Sequence, residues 1–312
     1  MKAEATRNRH ILVTGIHRSG TTFVGEMLSS APNTGYVQEP FNPDLGIEGI
    51  DIWYPYVRNG IVQEKYYSDL VNLIISGHAK YKNRSRFGGG FFRTIGKKMF
   101  GSRDYLRYLA STRLPGSRRL ILKDPLASLS SEWLHRKFGM DVLILLRHPA
   151  GFVDSTMRLG WDFDFSNLTA QTPLMEDYLR EILASFDTTS MQPWQRGALL
   201  WQCIYSVLDV FANRNPGIKI IRLEDLSLNP EEKFLEIHEF TALPFTKKSL
   251  RTIRKSTASS NPVKAPGGQV HFLRRNSSKS VDVWRKSLDE TTIAGIRKLA
   301  GPPAEKYYGK DW

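Results

Sequence analysis

Runs of apolar residues alternate along the chain with amphipathic stretches, and that alternation predicts the fold. Ile11 to Thr14 is an apolar run closed by Gly15, and between Thr21 and Ser30 the positions Phe23, Val24, Met27 and Leu28 recur at helical spacing. The stretch reads as strand, loop, helix. Asn33 and Gly35 supply a turn, and "GYVQEP" reads as a short second strand stopped by Pro40. From Phe41 to Gly116 there is no clean strand pattern. Aromatic and basic residues and the glycine run "GGGFF" mark this stretch as an inserted, mostly helical or loop segment of the kind that shapes specificity or covers a core. Alternation resumes with "RRLILKDP", a strand ending at Lys123, then a helix around Ser131 to Phe138, then the apolar strand "MDVLILLR" over Met140 to Arg147. Continuous apolar runs separated by helices belong to parallel sheets buried on both faces.

Pro149 can open the next helix, through Phe152, Val153 and Thr156. Trp194 to Phe211 reads as a long apolar helix and "GIKIIRLEDL" as another strand. Asn229-Pro230-Glu231-Glu232 has the cap, proline and acidic first turn of a helix start. The expected fold is a three-layer α/β domain, a central parallel sheet flanked by helices. One unit is expected over residues 1–312, with a substrate-binding insertion at about 41–116 and a possible lid at about 160–193.

Composition narrows the class. A chain of 312 residues with 41% hydrophobic content can bury a large core. Its single cysteine, Cys203, leaves no internal disulfide framework and no cysteine cluster for zinc. The start "MKAEATRNRHILVTG" has too few apolar residues for a signal peptide, and no run of about 18 apolar residues offers a membrane span. A reducing, cytoplasmic location is expected, with no transmembrane segment, and the sequons at Asn83, Asn167 and Asn276 then read as chance matches. The net charge of +13 favours an anionic partner. Because the basic residues fall in short groups, such as "KYKNRSR" and "FLRRNSSK", they suggest a basic cleft rather than a tail.

The loop "GIHRSGTT" follows the first strand, where ligands of open α/β sheets bind. Gly15 and Gly20 let the backbone curl around an anion, the N–H groups and helix N-terminus complement its charge, and Thr21 and Thr22 add hydroxyls. A nucleotide-binding Walker loop, however, needs lysine after its last glycine, and here Thr21 stands there while Arg18 carries the charge two residues earlier. Arg147, at the end of a second buried strand, can present a bidentate guanidinium, and Ser155 on the next helix a hydroxyl. An arginine capping its strand and paired to Asp154 is the competing structural reading. Two anion sites on one sheet favour a ligand with two anionic ends.

These residues resemble the sulfotransferases that use 3′-phosphoadenosine 5′-phosphosulfate (PAPS). "GIHRSGTTFVGEML" resembles that family's loop for the 5′-phosphosulfate, and "LILLRHPAGFVDS" its 3′-phosphate strand, loop and helix. "ILKDPLASLSSEWL", "IIRLEDLSLNPEEKFLEIHEF" and "FLRRNSSKSVDVWRKSL" extend the likeness in the same order. The resemblance implies a P-loop-like fold, PAPS as donor, 3′-phosphoadenosine 5′-phosphate (PAP) as product, and no metal. It places His17, Arg18, Ser19, Gly20, Thr21, Thr22, Arg147, Ser155, Arg274, Arg275 and Asn276 on the cofactor.

Sulfuryl transfer needs a base for the acceptor proton and cations around the leaving oxygens, in an in-line arrangement. The "QEPF" context of Glu39, at the end of the second strand and expected beside the first loop, is similar to that of carbohydrate and bacterial sulfotransferases, in which a glutamate is the base. Aryl sulfotransferases instead carry a K-T-H pattern, whose histidine position is Pro125 here, so that base is missing. Lys123 and Arg18 remain to stabilise the bridging oxygen or orient the acceptor. His17 has no acidic neighbour in the local sequence to make it a base, and His148 and His238 have no ligand spacing and suit packing or surface roles. The family's Y-E-D-L tyrosine is Leu223 here, which leaves the adenine contacts unassigned. The acceptor is expected to be a small molecule or glycan, a carbohydrate, glycoconjugate or polar metabolite carrying the hydroxyl. "GWDFDF", Gly160 to Phe165, can be a lid, an acceptor wall or local packing. Two other readings stay open: a small-molecule kinase, against which the absent loop lysine speaks, and a nucleic-acid or polyanion-binding protein, which accounts for the charge but not for the ordered motifs.

Overall fold

The computed structural model describes residues 9–82, 103–113, 119–262 and 276–312. Arg274 and Arg275, the "GGGFF" run and the Asn83 sequon lie outside them. Strand β1, Ile11–Gly15, leads through the loop into α1, Thr21–Leu28, and then to β2, Thr34–Gln38. Within the insertion run α2, Glu64–Ile75, and α3, Arg103–Arg113. Next come β3, Arg119–Lys123, α4, Ser131–Phe138, β4, Asp141–Leu146, and α5, Pro149–Met157. Short helical turns follow, then α6, Pro193–Arg214, β5, Ile218–Arg222, α7, Leu223–Leu228, and α8, Pro230–Phe240. The last long helices are α9, Lys247–Thr257, and α10, Glu290–Tyr308, which bends at Gly301.

The strands lie in the order β2-β3-β1-β4-β5, every neighbouring pair parallel. Their apolar runs are continuous because each face has its own core. Ile11, Val13, Ile121, Leu143 and Leu145 pack with Val24, Met27, Phe234 and Ile253 from α1, α8 and α9 on one face. On the other face Leu12, Leu122, Val142, Ile144 and Leu146 pack with Trp133 and Leu134 of α4, with Trp201, Ile204 and Phe211 of α6, and with Phe41, Ile50, Tyr54 and Ile74 of the insertion. Alternate residues therefore face alternate cores, which is the three-layer arrangement that the pattern predicted. The connections leaving β1 and β3 run to opposite faces, since α1 packs in one core and α4 in the other. That reversal opens a crevice at the strand ends, and the glycine loop occupies it.

Two local expectations need correction. "GIKIIRLEDL" is strand only to Arg222; the chain turns helical at Leu223. Asn229 stands at the cap position of α8 but its side chain makes no capping bond, so Pro230 and the acidic pair Glu231 and Glu232 carry that helix start.

His148 is a packing residue. Its ring stacks on Trp284 with centroids 4.4 Å apart, and its Nδ1 accepts the Ala150 N–H at 3.2 Å. Burial, reinforced by the charges of Arg285, Arg222 and Arg147, pushes its pKa down to about 3. An unfolded histidine binds its proton near pH 6.5, so between pH 7 and 5 the unfolded chain gains a proton here that the folded chain refuses. Stability attributable to His148 is therefore present above about pH 6.5 and lost as the pH falls. Replacing it with Phe keeps the stack and removes the proton. Going from pH 7 to pH 5, His148→Phe should gain about 2 kcal/mol of unfolding free energy relative to the parent. Parallel denaturation profiles for the two proteins would contradict this.

Candidate functional site

The loop after β1 is shaped by residues in the left-handed backbone region. Gly20 has φ 94°, and a Cβ there would lie 2.7 Å from Leu223 Cδ1, so any other residue would be strained and would push the leucine aside. Arg18 has φ 68°, an uncommon conformation for a residue with a Cβ and a form of strain that collects at functional sites. It turns the loop so that the N-terminus of α1 opens toward the strand ends, where the unpaired N–H groups and the helix dipole favour an anion. The Arg18 guanidinium Nε donates to Ser155 Oγ at 3.3 Å and lies 5.7 Å from the ring centre of Trp161. Arg147 Nη1 donates to the Arg18 carbonyl at 2.9 Å. Asp154 serves Arg158 at 2.9 Å and Ser287 at 2.6 Å, so the strand-capping pair with Arg147 is not what the structure builds. Arg147 is thus tied to the loop backbone and Ser155 to the Arg18 side chain.

Glu39 and Lys123 meet at the end of the sheet. Glu39 shares a cavity with the first loop, but β3 lies between β2 and β1, so the strand-end neighbour of Glu39 is Lys123. The Glu39 N–H donates to the Lys123 carbonyl at 2.8 Å, and Lys123 Nζ donates to Glu39 Oε1. The other carboxylate oxygen, Oε2, accepts from Asn42 Nδ2 at 3.0 Å. Asn42 cannot be reversed, because its Oδ1 accepts the backbone N–H groups of Asp44 at 2.9 Å and Leu45 at 3.1 Å. Glu39 thus has a fixed carboxylate on a backbone of φ 45°. The Lys123 stem is fully buried and threads past Gly25 of α1, where an added Cβ would lie 3.0 Å from Lys123 Cγ and from Tyr36 Cε2.

Asp124, next in sequence, holds the chain that follows Glu39: it accepts the N–H of Phe41 at 2.5 Å and that of Leu126 at 2.9 Å. Burial and the nearby Glu39 carboxylate raise its pKa to about 7, against those N–H groups and Lys123.

Part of this arrangement faces one cavity of about 950 Å³, while Lys123, Asp124 and Ser155 are buried outside its lining. Arg18, Gly20, Thr21, Thr22 and Arg147 line it together with Leu223, Ser227 and Ser277; Glu39, Asn42, Asp44, Trp53 and Gly160 to Asp164 line it elsewhere. The "GWDFDF" run is therefore wall as well as packing. Phe163 sits against Tyr54 and Phe165, and Asp162 binds Arg196 through both oxygens, at 2.7 and 2.5 Å. Ser19 is buried beneath the loop, and Asn276 caps the turn at Lys279 with its Oδ1, accepting at 3.2 Å. His17 also lines the cavity, its Nδ1 2.5 Å from Tyr54 Oη. Burial first, then Arg18, lowers its pKa to about 3, while Glu39 acts in the opposite sense, so an acidic neighbour exists although the local sequence hides it.

Sequence reasoning missed Asn42, Tyr54, Asp124 and Glu224. Glu224 is buried, accepting the His148 N–H at 2.9 Å and the Tyr308 hydroxyl at 2.6 Å, beside Arg147. A charged residue directly after a strand was the available signal for Asp124, and an acidic residue two positions past a strand that for Glu224; Asn42 and Tyr54 lie in the unpatterned insertion and gave none. Among the described residues no three His, Cys, Asp or Glu side chains gather as a metal-binding group, and no helix is long and apolar enough to cross a membrane.

A family model described as the sulfotransferase domain matches residues 8–308. Carbohydrate sulfotransferase 1 of Danio rerio is 23% identical over 174 residues, which are 50% of this chain and 35% of that protein, so the match spans about a third of its length. The sulfotransferase domain of the Synechococcus PCC 7002 olefin synthase is 14% identical, covering 95% of both chains with a TM-score of 0.43. Mouse sulfotransferase SULT7A1, solved in complex with PAP, is 12% identical, covering 94% of this chain and 83% of that one with a TM-score of 0.45.

Proposed function

The chain belongs to the sulfotransferase domain family, and on that premise we propose that it transfers a sulfuryl group from PAPS to an acceptor hydroxyl, with Glu39 as the base. One observation carries the reading. A single cavity is bounded by the guanidinium groups of Arg18, in the loop, and Arg147, at the end of β4, and elsewhere on its wall by a carboxylate whose two oxygens are oriented by Lys123 and Asn42. The residues suit such a ligand: loop N–H groups, Thr21, Thr22, Arg18, Arg147 and Ser155 for its anionic groups, and Leu223, Ser227 and Ser277 for an uncharged part. When bound, PAPS supplies an activated sulfonate, whose bond to the phosphate oxygen breaks as the acceptor oxygen bonds to sulfur, leaving PAP. Glu39 would take the acceptor proton and Lys123 would offset charge gathering on the oxygens between. The family carries the kinase reading no further, and with it goes any need for a loop lysine.

The cavity also speaks to the acceptor. Apart from Arg18 and Arg147, its charged lining residues are acidic: Glu39, Asp44, Asp162, Asp164 and Glu224 among the described residues. Trp53, Trp161 and Phe163 add apolar faces of the kind that pack against the C–H face of a sugar ring. A neutral or amine-bearing carbohydrate fits this wall better than a sulfated or carboxylated one, and segments 41–116 and 160–193 would set the choice. The carbohydrate acceptor implied by the Danio rerio relative's name agrees with that class. Calorimetry should give a micromolar Kd for PAP. With labelled PAPS, neutral or amine-bearing sugars should exceed their sulfated or carboxylated analogues in kcat/KM by about tenfold or more. Absence of PAP binding would remove the donor from the proposal, and a preference for anionic sugars would remove the acceptor class.

A further inference from the structure

His17 belongs to the loop, yet its side chain is built into the opposite wall. Its ring lies 5.2 Å from that of Phe152, 5.8 Å from that of Trp161, 6.1 Å from that of Tyr54 and 6.2 Å from that of Trp53. Two bonds join it to the buried Tyr54. The His17 backbone N–H donates to Tyr54 Oη at 3.2 Å, and the ring Nδ1 lies 2.5 Å from the same oxygen.

Proton accounting on this pair fixes the tautomer. Tyr54 Oη has one hydrogen to place, and its neighbours in hydrogen-bond reach are the His17 N–H, which can only donate, and His17 Nδ1. Were Nδ1 to carry the ring proton, both would donate to the oxygen and the phenolic hydrogen would be buried without an acceptor, which costs about 1–3 kcal/mol. The phenol therefore donates to Nδ1, and the neutral ring keeps its proton on Nε2. Nε2 has no protein partner among the described residues and is not sealed from solvent. Since His17 lines the cavity, that edge opens into it. His17 lines the same cavity as Arg18 of the loop that would hold the donor and Glu39, the base that would receive the acceptor proton.

We propose that His17 is a fixed, neutral hydrogen-bond donor, its Nε2–H serving an oxygen of the sulfonate between donor and acceptor, with Tyr54 as the positioning residue that sets the tautomer. This rests on the sulfotransferase reading above and goes beyond a loop contact to the cofactor. It also excludes His17 as the base, because the nitrogen facing the cavity already bears the proton. A preorganised donor in that place needs no titration and no rearrangement when charge develops on the sulfonate.

The test begins with the unliganded full chain. Long-range proton–nitrogen spectra of the histidine-labelled protein at neutral pH, with the His17 signals assigned by their loss in His17→Gln, should show the neutral Nε2–H form. In Tyr54→Phe the same signals should shift toward the Nδ1–H form. An Nδ1–H form or an imidazolium in the parent protein would overturn the assignment. For the role, His17→Phe should lower kcat by about 10- to 100-fold, while the Kd for PAP, which has no sulfonate, moves by less than about twofold. His17→Gln, which keeps an amide N–H of similar reach, should recover most of the lost rate. An unchanged kcat, or a PAP affinity that falls in step with kcat, would reduce His17 to a structural part of the loop. Failure of PAP to bind the parent protein would sink the donor assignment and leave the tautomer result standing.

Discussion

Glu39→Gln should lower kcat by about 10²- to 10⁴-fold, the contribution of a positioned general base, while leaving the Kd for PAP nearly unchanged. The glutamine amide has one acceptor where the carboxylate has two, so it can keep the bond from Lys123 or the bond from Asn42 but not both, and it cannot take a proton at working pH. It also leaves the Lys123 ammonium, fully buried, without the counter-charge it now has. Removing one partner of a buried pair is costly, about 3–5 kcal/mol in the strongest cases, so this variant should also melt earlier than the parent. Activity assays below the lowered transition separate the two effects. Turnover close to that of the parent in the folded variant would remove Glu39 from its role.

Lys123→Met should lower kcat by about 10²- to 10³-fold, in the range seen when one preorganised electrostatic group is deleted from a transition state. Its effect on stability has the opposite character. Methionine fills most of the channel past Gly25 and Tyr36 with apolar volume, and the Glu39 carboxylate it abandons is 19% exposed and still bonded to Asn42. Replacing the buried ammonium by an apolar chain should therefore be neutral or mildly stabilising. Lys123→Arg should not rescue activity, because a planar guanidinium fork does not reproduce the compact ammonium whose hydrogen bond Glu39 Oε1 accepts. The pair makes a sharp thermal-melt comparison: Glu39→Gln lower, Lys123→Met level or higher, and the double variant close to Lys123→Met while inactive. A Lys123→Met protein with parental kcat would show that the ammonium serves folding alone.

What the sequence disclosed followed the range of its signals. β1, its loop and α1 were legible because an apolar run, a glycine turn and a helical repeat lie side by side, and β4 because six residues buried on both faces leave one interpretation. The two arginines were legible for the same reason, each standing at or just beyond the end of such a strand. The placement of β3 between β2 and β1 was not, since strand order is decided by packing across the whole chain. With it went the Lys123–Glu39 pair, whose members are 84 residues apart. Asn42 and Tyr54 were invisible because the insertion has no periodicity to declare which side chains turn inward. The failed Asn229 cap and the early end of β5 are smaller cases, in which neighbours overruled a local preference.

The position of β2 at the rim of the sheet has a consequence for how this protein could change. It has a single strand neighbour, β3, and from it springs the stretch that carries Glu39, Asn42, Trp53 and Tyr54. The residues proposed to hold the donor instead hang from β1 and β4, each paired with a strand on both sides. On the proposed function, substitutions that retune the acceptor should fall on the periphery, where the backbone has fewer obligations, and leave the interior strands undisturbed. A grafted acceptor segment starting after Glu39 could give this scaffold a different client while the donor machinery stays as it was inherited.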